Sequence, residues 1–122
     1  MAFIGVVSQV CVRDEEKTVE WYTRLFGRPA DEQPMEHLHL WLIEGSHGFQ
    51  LWVDAKRSGN SDFVFGVDDV DAEKKRLSGV GLEPGSENRN EELEAQAASY
   101  TDPEGNLVTL VESRLMKEKS RA

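Results

Sequence analysis

The stretch VVSQVCVRDEEKTVEWYTRLFG, residues 6–27, decides the fold. Val6 to Val12 alternates well enough for a half-buried strand. Asp14 follows as an N-cap, with Glu15 and Glu16 where carboxylates favour the first helical turn. Val19, Tyr22 and Phe26 recur at i, i+3 and i+7, and Trp21 and Leu25 fill a neighbouring i, i+4 row, the spacing of an amphipathic helix. Gly27 is positioned to end that helix in the left-handed conformation. Residues 63–70, FVFGVDDV, repeat the series: a strand, then Asp68 or Asp69 capping a helix with Val70 and Leu77, closed by Gly79 and Gly81. Asp14 and Asp69 hold equivalent places 55 residues apart, which argues for a repeat.

Three extended runs follow each helix. In the first copy they are about Arg28 to Glu32, His37 to Glu44 and Phe49 to Asp54, with Gly45-Ser46-His47-Gly48 as a hairpin turn between the last two. In the second they are Leu82 to Gly85, Ala95 to Thr101 and Leu107 to Glu112. Asp102-Pro103-Glu104-Gly105 has the residues of a type I turn. Ser86 to Glu94 is expected to be a polar loop. The fold class is therefore α+β, two βαβββ modules forming a mixed curved sheet that encloses a cavity. The domain is expected over 1–113, its modules about 1–56 and 61–113, with 114–122 a charged tail.

The chain has 122 residues, enough for one hydrophobic core. Fourteen basic against twenty-three acidic side chains give a net charge of −9. Phosphate backbones need clustered Lys and Arg, so nucleic acid is not an expected partner. No apolar run approaches the roughly 20 residues of a membrane span, and no basic stretch precedes Phe3 to Val7, so a cytoplasmic protein without membrane contact is expected. The lone Cys11 fits a reducing compartment.

Val10-Cys11-Val12-Arg13-Asp14, leading into Trp21-Tyr22 and Leu25-Phe26-Gly27, resembles the opening of the vicinal oxygen chelate superfamily, which includes glyoxalase, bleomycin-resistance protein and extradiol dioxygenase. Phe63-Val64-Phe65-Gly66-Val67-Asp68-Asp69-Val70 resembles the start of its second module. Tyr100-Thr101-Asp102-Pro103-Glu104-Gly105-Asn106-Leu107 is similar to its end motif. The resemblance spans about residues 3 to 113. It implies metal ligands at the positions held here by Val7, Gln50, Asp62 and Thr109. A valine cannot ligate and a threonine hydroxyl is a poor substitute for carboxylate, so no metal or other cofactor is expected. His37-Leu38-His39 would place two imidazoles on one strand face as a displaced metal site. The resemblance also implies a homodimer.

Strand alternation gives the expected cavity wall: Val7, Gln9 and Cys11; His37, His39 and Trp41; Gln50 and Trp52; Asp62, Val64 and Thr109, with Tyr100. The opposite parity, including Leu38, Leu40, Leu42, Leu51, Phe63, Phe65, Val108 and Leu110, is aliphatic enough for a helix-facing core. The candidate ligand-binding residues are Gln9, His39, Trp41, Gln50, Trp52, Asp62 and Tyr100. Catalytic residues are not identified. The favoured reading is a metal-independent small-molecule binder, sequestering a planar or cationic compound. The alternatives are a metal-dependent lyase, isomerase or dioxygenase with a displaced site, and a non-catalytic dimeric module with a vestigial cavity.

Overall fold

The structure, a computed structural model, describes residues 2–113. In chain order the elements are β1 (Val7–Val12), α1 (Glu15–Phe26), β2 (Glu32–Met35), β3 (Leu38–Glu44), β4 (His47–Val53), β5 (Asp62–Gly66), α2 (Val70–Ser78), β6 (Ser86–Asn90), β7 (Ala95–Thr101) and β8 (Leu107–Ser113). They form two separate four-stranded sheets, ordered β1-β4-β3-β2 and β5-β8-β7-β6, neither closed into a barrel. In each, one parallel pair (β1–β4, β5–β8) sits beside two antiparallel pairs. This is the α+β βαβββ repeat.

The chain divides into two compact units. One runs to Ser61 and includes Pro103–Gly105; the other runs from Asp62 to Asp102 and resumes at Asn106. Glu104 explains why that short loop segment belongs with the first unit. Its carboxylate accepts the backbone N–H groups of Arg13 at 2.9 Å and Asp14 at 3.0 Å, just ahead of α1.

Both helices start as their sequences dictate. Asp14 accepts the Lys17 N–H and Asp69 accepts the Ala72 N–H, each at 3.0 Å, satisfying donors that the first turn leaves without helical acceptors. Gly27 ends α1 at φ 75°, a conformation that costs a side-chain-bearing residue more. In the first unit α1 lays Tyr22 and Phe26 against Trp41 and Phe49 of the sheet, with ring centroids 5.0–6.3 Å apart. Val10, Val12 and Leu51 complete that buried layer. In the second unit Val70 and Leu77 of α2, with Leu82, Ala98, Tyr100, Val108 and Leu110, make the core.

Two strands differ from expectation. The one expected from Arg28 to Glu32 lies at Glu32–Met35. Asp31 is instead tied to β3 by its side chain, accepting the Leu42 N–H at 2.6 Å and the Arg28 guanidinium at 3.0 Å. Pro34 is tolerated because β2 is an edge strand. The run Leu82 to Gly85 is not a strand either. Leu82 is buried beneath α2, its N–H bonded to the Leu77 carbonyl at 2.9 Å. The strand is Ser86–Asn90, inside the stretch expected to be a polar loop. An edge strand needs only backbone pairing on one side, and its five exposed polar residues give no apolar signal. The tail expected from Arg114 to Ala122 lies outside the described residues.

Candidate functional site

The antiparallel β3–β4 hairpin decides which side chains share a face. Near its turn Glu44 pairs with His47, but beyond Ile43 the register shifts, and Leu42 pairs with Gly48, Leu40 with Gln50 and Leu38 with Trp52. A one-residue bulge turns every side chain of β3 from Leu42 back to Leu38 to the other face. The wall expected from plain alternation is thereby corrected. His39 and Trp41 stand on the helix side, and Leu38, Leu40 and Leu42 stand on the open side.

Trp41 is accordingly fully buried among Tyr22, Phe26 and Phe49, its indole N–H donating to the Arg28 carbonyl at 3.0 Å. It is a core residue. His39 and His37 both turn to Glu15 in the first turn of α1. His37 Nδ1 lies 2.9 Å from one Glu15 oxygen and His39 Nε2 lies 2.8 Å from the other. His37 is not in the strand but in the β2–β3 turn at φ 68°. The two hydrogen bonds hold Glu15 below the usual carboxylate range, His39 contributing most, and the Glu15 bond raises His37 above the ordinary imidazole value. Among the described residues no three His, Cys, Asp or Glu side chains are placed to share a metal ion.

The open face of the first sheet has three short rows across β1, β4 and β3: Val7–Gly48–Leu42, Gln9–Gln50–Leu40 and Cys11–Trp52–Leu38. On the edge strand, Glu32 lies opposite Leu40 and Met35 opposite Leu38. Gln50 donates through Nε2 to Gln9 Oε1, and Gln9 Nε2 lies 3.8 Å from Cys11 Sγ. Trp52, Gln50, Leu38 and Leu40 are half-buried and Cys11 is buried. Alternation places Gln9, Gln50 and Trp52 together correctly. It misses Leu38 and Leu40, because a bulge at Ile43 has no distinctive residue to announce it, and Glu32 and Met35, because β2 lies further along the chain than expected.

In the second unit Asp62 and Val64 are exposed on the same face as Thr109, as alternation implies. Tyr100 pairs with Val108, not with Thr109, so it belongs to the helix-facing core. Its hydroxyl is buried without a hydrogen-bond partner among the described residues, and burial pushes the phenol up, Lys74 partly opposing. A groove of about 310 Å³ beside α2 is crossed by charges already paired, Lys74 with Glu87 and Asp71, and Arg89 with Asp71. It offers no unspent cation.

The four positions implied as metal ligands do not fit a transition-metal ion. Val7 has no lone pair. Gln50 offers only a neutral amide oxygen, and the Thr109 hydroxyl bonds the Ser99 hydroxyl at 2.8 Å. Asp62 is the one carboxylate among them.

A family model described as a glyoxalase-like domain matches residues 6–111. Comparison with curated proteins gives no match. Among solved structures, a glyoxalase / bleomycin resistance protein from Catenulispora acidiphila DSM 44928 superposes with a TM-score of 0.84 at 22% identity, over 90% of this chain and 98% of that one. The antibiotic-binding protein TnmS3 from Streptomyces sp. CB03234 gives 0.72 at 24%, over 93% and 98%. Lactoylglutathione lyase from Agrobacterium tumefaciens gives 0.73 at 21%, over 90% and 93%. At these identities the structural likenesses establish a shared fold; they leave the chemistry to the residues.

Proposed function

The chain belongs to the glyoxalase-like domain family, and from that premise we propose that it is a metal-independent small-molecule-binding protein that holds a planar ligand against the open face of its first sheet. The observation that carries this reading is the Gln9–Gln50 amide pair beside Trp52, flanked by Leu38 and Leu40, on a face that α1 does not cover. An indole supplies flat apolar surface, and amides fix orientation through hydrogen bonds. The fold hosts both binding and catalysis, as an antibiotic-binding protein and a lyase among the structural neighbours illustrate. The residues at the implied metal positions favour binding, since three of the four offer no anionic donor.

Asp62, expected as a charge partner, stands on the second sheet and is not part of this reading. The homodimer implied by the resemblance belongs to the same proposal and is measured by light scattering.

The test is elemental analysis of purified protein, followed by a thermal-shift screen of planar compounds on the same sample. The expected result is less than 0.1 equivalent of transition metal and at least one stabilising ligand whose affinity falls on Trp52→Ala. Loss of stacking and apolar burial should weaken that ligand by about 1–3 kcal/mol. One equivalent of zinc, iron, nickel or manganese would overturn metal independence. Ligands insensitive to Trp52→Ala would overturn the site.

A further inference from the structure

We propose that this open face selects an uncharged planar ligand carrying a hydrogen-bond donor and acceptor side by side, such as an aromatic carboxamide or lactam, and that Gln9 and Gln50 read that edge. The inference rests on the binding function above and adds the ligand's chemical class.

Hydrogen-bond accounting leads to it. A carboxamide offers two N–H donors and an oxygen with two acceptor sites. Gln50 uses one N–H on Gln9 Oε1, and Gln9 uses one on Cys11 Sγ. What remains among the described residues is the Gln50 carbonyl oxygen, the second acceptor site of Gln9 Oε1 and a second N–H on each amide. The pair therefore presents donor and acceptor together with no net charge, the complement of another amide.

Charge on the face points the same way. Nothing on the β1, β4 and β3 rows is ionisable except the Cys11 thiol, which is buried. On the edge strand Glu32 lies opposite Leu40. It lies two strand spacings from Gln50, roughly 10 Å. A cation seated over the amides would lose hydration without a counter-ion, and an anion would find no cationic partner. A neutral amide exchanges its water hydrogen bonds for equivalent ones. Trp52, two residues along β4 from Gln50 and on the same face, lies about 7 Å further on, within the span of a fused bicyclic ring.

The experiment is calorimetric titration of the full chain with three probes sharing one ring system: 2-naphthamide, 2-naphthoate and 2-naphthylmethylammonium. The amide should bind at least tenfold more tightly than either ion. Gln50→Leu should shrink that preference below threefold, and Gln50→Glu should shift it towards the ammonium probe, with far-UV circular dichroism checking that both variants are folded. Equal or tighter binding of either ion to the unaltered protein would overturn the inference, as would a tenfold preference surviving Gln50→Leu. If no naphthalene probe binds but a screened compound does, with Trp52-dependent affinity, the ligand class is wrong and the binding function stands. If binding of every compound is indifferent to Trp52→Ala, both fall.

Discussion

Replacing Trp41 or Trp52 with alanine should separate the two faces of the first sheet. Trp41 is fully buried, with ring centroids 5.3 Å from Phe26, 6.3 Å from Tyr22 and 6.4 Å from Phe49, and its indole N–H satisfies the Arg28 carbonyl. Truncating a buried tryptophan to alanine costs about 3–5 kcal/mol through lost transfer energy and the cavity left behind. The vacated Arg28 carbonyl places the expectation in the upper half of that range. Because a domain of this size is stable by only about 5–15 kcal/mol, the milder Trp41→Phe is the safer companion. It keeps most of the ring, loses the hydrogen bond, and should cost about 2 kcal/mol. Trp52 is half-buried on the open face, so Trp52→Ala should cost about 1–2 kcal/mol in stability and act chiefly on ligand affinity. Equilibrium urea unfolding followed by far-UV circular dichroism measures the stabilities, and titration with a ligand from the screen measures the second effect. If Trp41→Ala proved milder than Trp52→Ala, or weakened binding at unchanged stability, β3 would be facing the other way and the bulge at Ile43 would be refuted.

Three further outcomes are expected. His37, raised by its bond to Glu15, contributes stability that is fully present below the unfolded-state value near 6.5 and is lost as pH rises through its higher folded value. Glu15, lowered, contributes stability present above its unfolded value near 4.5 and lost as pH falls through its depressed folded value. The gap between the original protein and Glu15→Gln should therefore be widest between about pH 5 and 6 and should narrow by pH 8.5; a gap flat across that range in unfolding experiments would count against the bridge. Asp14→Ala and Asp69→Ala should each destabilise by about 0.5–2 kcal/mol in denaturant melts, and a null effect at either would deny that position its capping role. Glu104→Ala should cost about 1–3 kcal/mol by leaving the Arg13 and Asp14 N–H groups without their carboxylate, and Glu104→Gln, which keeps one acceptor oxygen, should recover part of that loss in the same assay.

Local rules made the repeat readable from the residues alone. An aspartate at an N-cap, a glycine in left-handed conformation and a 3.6-residue apolar period are each set within one or two turns of chain, so Asp14, Gly27 and Asp69 stand in the structure where their neighbours imply. The same holds for β1, where Val10 and Val12 alternate with Gln9 and Cys11 as a period of two requires. The edge strands were harder to read. Glu32–Met35 and Ser86–Asn90 are strands because a neighbour offers them a ladder, and backbone pairing leaves no apolar pattern when the residues are exposed. The site depended most on tertiary structure. Gln9, Gln50 and Trp52 follow from alternation, but whether His39 and Trp41 or Leu38 and Leu40 join them turns on a one-residue bulge in β3. Without it, the hairpin register near the turn would continue and bring Trp41 opposite Gln50. With it, Trp41 enters the aromatic cluster beneath Tyr22 and Phe26, and the leucines line the open face. A bulge is selected by which face packs better against α1, a comparison between distant segments that no local run of residues contains.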